Sequence, residues 1–280
     1  FPTQYDEKKW ELAAQAAKDV MNLNLYSLVG ADGTDPYASF NTLFTSVGSG
    51  TGATEKIYTR IASGYQWRVV TTPPSVGGTA YGGYGVTQKQ VDAFAMANGR
   101  YPITGYTDGD QTRPIIDPDA GYSESGFSKF KHPIYGDELE TFKMYQNREP
   151  RFYVSIFFNG RKWESEHAEV NGVVEPCDFF LNGKSGRPNQ DSPKTGYTTY
   201  KYVGVGDYKY KQSAKNPILF RLAEVYLNYA EACNEKPQRD ETAALLYLNK
   251  VRNRVGLKDI EEAYPEIKGN KELLRWCIQK

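Results

Sequence analysis

The stretch Phe220-Arg221-Leu222-Ala223-Glu224-Val225-Tyr226-Leu227-Asn228-Tyr229-Ala230-Glu231-Ala232 constrains this chain more than any other. Apolar or small residues recur at Leu219, Leu222, Ala223, Tyr226, Leu227 and Ala230, which is helical spacing. The opposite face carries few polar groups, and a helix apolar nearly all round is predicted to be buried on more than one side. After Lys236-Pro237 a second helix reads Ala243, Ala244, Leu246, Leu248, Val251 and Val255. Gly256 then falls at the C′ position, where a left-handed residue ends a helix at little cost. Two antiparallel helices with Ala at the contact positions look like a tetratricopeptide-type hairpin, because small side chains let the axes approach closely.

The chain is predicted to be helical at both ends. Residues 6–22 form a helix with Asp6 as N-cap and a stripe of Trp10, Ala13, Ala14, Ala17 and Val20. Asp32-Gly33 marks a turn, and a short helix is predicted over 37–44 with Phe40, Leu43 and Phe44 facing the core. Residues 45–90 differ in texture: they are rich in Gly, and Pro73-Pro74 interrupts regular structure. Loops this long inside a compact protein are usually functional. A helix is predicted over 87–97, loop over 100–140, and a strand over 152–158 that turns at Asn159-Gly160 into a partner near Trp163. Another strand is expected over 197–203, and helix from Asn216 onward. The expected fold class is mainly α: a tetratricopeptide-like helical scaffold with long loop excursions and small β-hairpins. Residues 1–280 are read as a single domain: helix 6–22, a loop-rich ligand face over about 45–215, a helical hairpin over 217–256, and the start of a further helix over 270–280.

The 280 residues carry 34 basic and 34 acidic side chains, and no basic run of five occurs. A nucleic-acid binder held by backbone charge needs a basic excess or stripe, so nucleic acid is not an expected partner. No apolar run approaches a membrane span. Cys177, Cys233 and Cys277 form no CxxC pair, and Cys233 reads as a small buried hydrophobe. Catalytic signatures are missing too. His132 and His167 have no zinc spacing. Asp108, Asp110, Asp117 and Asp119 invite a calcium reading, but the EF-hand pattern fails at Thr112 and Arg113, leaving a solvated polar loop. Gly183-Lys184-Ser185 has Asp178 where a phosphate loop begins with Gly. Gly121-Tyr122-Ser123-Glu124-Ser125 is not G-x-S-x-G. The expectation is a non-enzyme with no cofactor and no metal.

Aromatics supply 14% of the chain, with 22 Tyr against 13 Phe and 4 Trp. Tyr joins a flat apolar face to a hydroxyl, which suits partly wet surfaces, and sugars share that duality. Tyr226, Tyr229, Trp10, Trp276, Trp163, Phe152, Phe157 and Phe158 are read as core. The ligand candidates lie in the Gly-rich excursion: Tyr58, Tyr65, Trp67, Tyr81 and Tyr84. Tyr65-Gln66-Trp67-Arg68 combines two rings, an amide that donates and accepts, and a guanidinium donor. Tyr65 and Trp67, two apart, could equally form the inward face of a short strand.

Five segments in order resemble the RagB/SusD family of outer-membrane nutrient-binding lipoproteins. They are Gln90-Val91-Asp92-Ala93-Phe94; Asn147-Arg148-Glu149-Pro150-Arg151-Phe152-Tyr153 with Asn159-Gly160 and Trp163; Thr195-Gly196-Tyr197 leading to Lys201-Tyr202; Arg221 through Ala232; and Leu248-Asn249-Lys250-Val251-Arg252-Asn253-Arg254-Val255-Gly256-Leu257. The family usually has Asp where Glu149 stands. Arg252 and Arg254 fit its pattern and are read as structural, paired with carboxylates or helix ends, with Glu224 and Glu231 the expected partners. The resemblance implies capture of an oligosaccharide or polysaccharide at the bacterial cell surface, on the outer membrane, for delivery to a SusC-like TonB-dependent transporter. Peptide or other nutrient capture by the same fold, and glycoside hydrolysis, are the alternatives. It also implies a signal peptide and a lipidated N-terminal Cys as the membrane anchor. The sequence starts at Phe1-Pro2 and stops within the helical pattern Glu272, Leu273, Leu274, Trp276, Ile278, so a fragment lacking both ends is expected.

Overall fold

Short strands stand at several places where the sequence pattern reads as loop or helix. In the computed structural model the chain runs α1 (Lys8–Asn22), α2 (Pro36–Thr45), β1 (Lys56–Thr59), α3 (Tyr65–Thr71), α4 (Gln88–Asp92), β2 (Ile103–Tyr106), β3 (Pro114–Ile116), β4 (Phe127–Lys131), β5 (Glu138–Phe142), α5 (Pro150–Ser155), β6 (Ile156–Phe158), β7 (Glu169–Val170), β8 (Val173–Val174), β9 (Tyr197–Thr199), β10 (Ile218–Arg221), α6 (Leu222–Glu235), α7 (Glu241–Asn253), α8 (Ile260–Ala263) and α9 (Lys271–Gln279). The structure describes residues 6–47, 50–60, 65–76, 80–163, 169–170, 173–204, 207 and 216–280. The regular structure of these residues is helical segments and two-stranded antiparallel pairs, and the chain divides into two compact units.

The first unit comprises residues 1–60, 98–100 and 217–280. Leu219 is exposed and belongs to β10, which pairs with β1, rather than to the helix. Ile218, Leu219 and Phe220 favour an extended chain once a partner strand is at hand. Helix α6 then starts at Leu222 and packs against α1, α7 and α9. It still leaves Glu224 and Asn228 exposed, so its apolar surface does not close around it. Cys233 is fully buried within it, as its place in the pattern predicts. Ala17, Leu222 and Val225 form a core with Val20, Tyr26, Phe220, Tyr226 and Tyr229 against it. Trp10 is half-buried and lines an apolar groove of about 380 Å³ with Ala13, Ala17, Val20, Phe220 and Val225. The Asp35 carboxylate caps α2 by accepting the Ala38 N–H. At the end of α7 Gly256 has φ +75°, its N–H donates to the Asn253 carbonyl, and the Leu257 N–H donates to that of Arg252. That is the paired Schellman geometry expected of a C′ glycine.

Glu55 is the polar centre of this unit. Its carboxylate, 0% exposed, accepts from the Val29 N–H at 3.0 Å, from Arg221 Nη1 at 2.5 Å, and from Arg254 Nη1. Its backbone carbonyl accepts the Leu222 N–H at 3.0 Å. The expected partners of the α7 arginines are therefore corrected. Arg254 pairs with Glu55, and Arg252 donates to the carbonyls of Lys258 and Gly99. Glu224 is exposed, and Glu231 accepts from the Gln279 amide at 2.8 Å.

The second unit comprises residues 61–97 and 101–216. The helix predicted over 87–97 is only α4, capped by Thr87; Met96 already bridges Arg148 as an extended residue. The loop predicted over 100–140 contains two antiparallel pairs, β2–β3 and β4–β5. The strand predicted over 152–158 begins as α5, because Pro150 opens a helical turn, and becomes extended only at Ile156. Its partner is β9 rather than a segment near Trp163. Asn159-Gly160 does turn the chain, with Gly160 at φ +86°, toward Cys177, whose carbonyl accepts the Gly160 N–H.

The segment Asn147–Tyr153 acts as a lock. The buried Arg148 guanidinium donates to the carbonyls of Val91 and Phe94 at 2.7 Å each and of Met144 at 3.1 Å. Glu149, fully buried, accepts the Ala95 N–H at 2.8 Å and is gripped by Arg151. Tyr153 donates to the Tyr145 carbonyl at 2.8 Å. Phe157 and Trp163, read from the sequence as core, are buried together with Tyr200 and Val203.

Removing one partner of a buried ion pair leaves the other charge uncompensated, which costs roughly 3–5 kcal/mol. Glu55→Ala and Arg254→Ala are each expected to lower the unfolding free energy by about that amount in urea titration. The double variant is expected to fall well short of the sum, which a double-mutant cycle reads directly.

Candidate functional site

A ring cluster in the second unit brings together part of what the sequence nominates. Tyr65-Gln66-Trp67-Arg68 opens helix α3, so Tyr65 and Trp67 do not alternate on a strand. The Trp67 ring, half-buried, meets the Tyr84 ring at 5.5 Å between centroids with the planes 49° apart. It meets the Tyr202 ring edge-on at 5.9 Å and 84°. The indole N–H donates to the Lys201 carbonyl at 2.9 Å. Tyr84 is 55% exposed and Tyr81 47% exposed, so large aromatic faces remain open to solvent.

The loop that carries Tyr81 and Tyr84 is built onto its surroundings. The Tyr81 N–H donates to the Val69 carbonyl and the Tyr84 N–H to that of Val70, each at 3.0 Å, so the loop takes up carbonyls at the end of α3. The Tyr84 carbonyl accepts the Thr199 N–H at 3.3 Å. Gly85 packs closely on the approach to β9, where a Cβ would lie 2.7 Å from Thr195 Oγ1 and would have to displace that side chain. Strand β9 continues the support from within. Tyr197 Oη donates to Gln88 Oε1 at 2.9 Å and lies 3.4 Å from Tyr145 Oη. Gln88 donates in turn to Asp92 at 2.7 Å, and Asp92 accepts from Tyr106 at 3.2 Å. Burial, with Tyr145 adding to it, pushes the Tyr197 hydroxyl far above its ordinary range, so it stays a neutral donor.

Tyr58 is 63% exposed on β1, in the first unit. The side chains of Tyr65, Gln66 and Arg68 lie outside the described residues. Tyr202 and Lys201, which hold Trp67, were visible only as part of a family-like segment; their spacing from Trp67, 134 residues to Lys201, gives no local signal.

Residues considered for catalysis or metal take structural roles. Asp108 accepts from the Thr112 and Arg113 N–H groups, closing the β2–β3 turn, and the Thr112 hydroxyl helps to hold it below the usual carboxylate range. Asp117 accepts the Asp119 N–H. Among the described residues no group of three or more His, Cys, Asp or Glu could hold a metal, and no helix is long and apolar enough to cross a membrane. His167 lies outside the described residues. His132 is 3% exposed, stacked on Tyr135 at 3.7 Å, and accepts the Ile134 N–H through Nδ1. Burial first, and the Arg161 charge second, push its pKa down to about 2.

The SusD family model matches residues 42–280. The chain belongs to the SusD family. A SusD-like protein from Bacteroides fragilis NCTC 9343 superposes with a TM-score of 0.65 at 27% identity, over 97% of this chain and 48% of its own. BT4246 superposes with a TM-score of 0.67 at 21% identity, over 99% of this chain and 51% of its own, a likeness of fold. The chain thus spans about half the length of these structures. No curated protein matches it. For this SusD-family chain, the segments at Asn147–Tyr153 and Arg221–Leu257 supply the buried arginines Arg148, Arg252 and Arg254 that tie the scaffold together, and the segment from Thr195 to Tyr202 meets Trp67 and Tyr84.

His132 makes stability depend on pH. In the unfolded chain the imidazole regains its ordinary pKa near 6.5, so between there and about 2 the unfolded state binds the extra proton. Its contribution is fully present above pH 6.5 and is lost as pH falls, by roughly 1.4 kcal/mol per pH unit. Urea titrations from pH 7 to pH 4 are expected to show a shallower decline in His132→Phe than in the parent.

Proposed function

We propose that this SusD-family chain captures an oligosaccharide or polysaccharide without turning it over. The carrying observation is the Trp67–Tyr84–Tyr202 cluster, with the exposed rings of Tyr84 and Tyr81 at one loop. Each ring offers a face for the C–H surface of a sugar, and each tyrosine adds a hydroxyl. By analogy with aromatic pairs, one stacked ring contributes roughly 0.5–1.5 kcal/mol. Two or three, helped by polar contacts, give an affinity on the order of millimolar to high micromolar, which lets a ligand be passed on. We read the site as working at the outer surface of the outer membrane, on a lipid-anchored protein, in delivery to a SusC-like TonB-dependent transporter. The α6–α7 pair, with Ala244 and Ala230 buried on it, supports a tetratricopeptide-like reading of the helices.

Calorimetry against a panel of polysaccharides is expected to find a weakly bound glycan, with Trp67→Ala and Tyr84→Ala each weakening it about threefold to tenfold. A folded protein that binds no glycan overturns the reading, as does release of reducing ends from a bound glycan.

A further inference from the structure

Resting on the reading of the Trp67 cluster as a glycan site, we propose that Tyr202 is a positioning residue that fixes the angle at which Trp67 is presented beside Tyr84. Tyr202 has φ +69°, a left-handed backbone that a bulky side chain adopts only at a cost and that Gly or Asn adopts readily. The cost goes with a specific contact: its ring meets the edge of Trp67, and the carbonyl just before it, of Lys201, accepts the indole N–H. Trp67 is thereby held at two points by consecutive residues of one turn.

That turn has a rigid base. The N–H groups of Tyr200 and Lys201 both donate to the Ser155 carbonyl, at 2.7 and 3.3 Å, and the Val203 N–H closes back on the Tyr200 carbonyl at 3.0 Å. Tyr200 is buried against Phe157 and Trp163, with the Arg161 guanidinium 4.1 Å from its ring centroid. A turn anchored this way carries its orientation from the core to the Trp67 ring. Tyr84 comes from a different loop, tied by its backbone to α3 and to Thr199, so the 49° between the two rings is set by that backbone pairing and by the hold of Lys201 and Tyr202 on the Trp67 side chain. A ligand that touches both rings depends on that angle, and the angle depends on Tyr202.

The backbone conformation separates this role from plain stability. Tyr202→Gly removes the ring and relieves the left-handed strain, so stability and binding are expected to move apart. In calorimetry with a glycan that the parent binds, Tyr202→Gly is expected to unfold at the same or a higher urea concentration yet bind roughly three- to tenfold more weakly, with a changed ranking of glycans. Tyr202→Asn, also at ease left-handed, gives the same loss, and Tyr202→Phe retains parental affinity. Combined with Trp67→Ala, Tyr202→Gly adds no further loss, and near-ultraviolet circular dichroism reads the change in ring packing without ligand. Parental affinity and ranking in Tyr202→Gly, while Trp67→Ala loses binding, overturn the positioning role and leave the glycan reading standing. A silent Trp67→Ala overturns both.

Discussion

The first unit depends on a single buried carboxylate. Glu55 is out of reach of water, and a charge there persists only where it is paired and hydrogen-bonded. The Val29 amide, Arg221 and Arg254 meet that need, and they come from segments that share no local sequence. The register of β1 against β10, the start of α6 and the end of α7 are thus mutually constrained. A hydrophobic core alone tolerates small slips of one helix along another, whereas an ion pair with fixed geometry does not.

The second unit meets the same demand with the charges inverted. Its elements are short and leave many carbonyls outside regular ladders, each a desolvation penalty if buried unpaired. Arg148 answers three of them from one planar guanidinium, and Arg161 answers those of Tyr153 and Ile156. Glu149 satisfies a buried amide while neutralising Arg151. This unit can hold irregular chain in fixed positions because its buried polar groups, rather than long helices, define where the segments lie.

The ligand face proposed for Trp67 and Tyr84 needs that kind of support. Rings exposed to water gain nothing from their own burial, so their direction has to be set from behind. Tyr84 is held by its backbone on α3 and β9, and Trp67 by its N–H and its edge. Rings set before a ligand arrives do not spend its binding energy on being ordered, so even a weak site can be selective.

The helical ends were legible in the sequence because their information is local. The α6 and α7 stripes and the Gly256 terminator each follow from spacing within a few residues. The family was legible too, since its segments are contiguous. Where the pattern mixed periods, it misled: aromatics over 152–158 serve a helix and then a strand, and Leu219 continues the α6 stripe on paper but lies on β10. Tertiary structure alone decided that Glu55 rather than Glu224 or Glu231 receives Arg254, 199 residues away, and that Tyr202 rather than Tyr58 stands beside Trp67. Periodicity records which side of one element is buried. Which distant charge or ring lies across from it is settled only when the whole chain has packed and each buried polar group has found its partner.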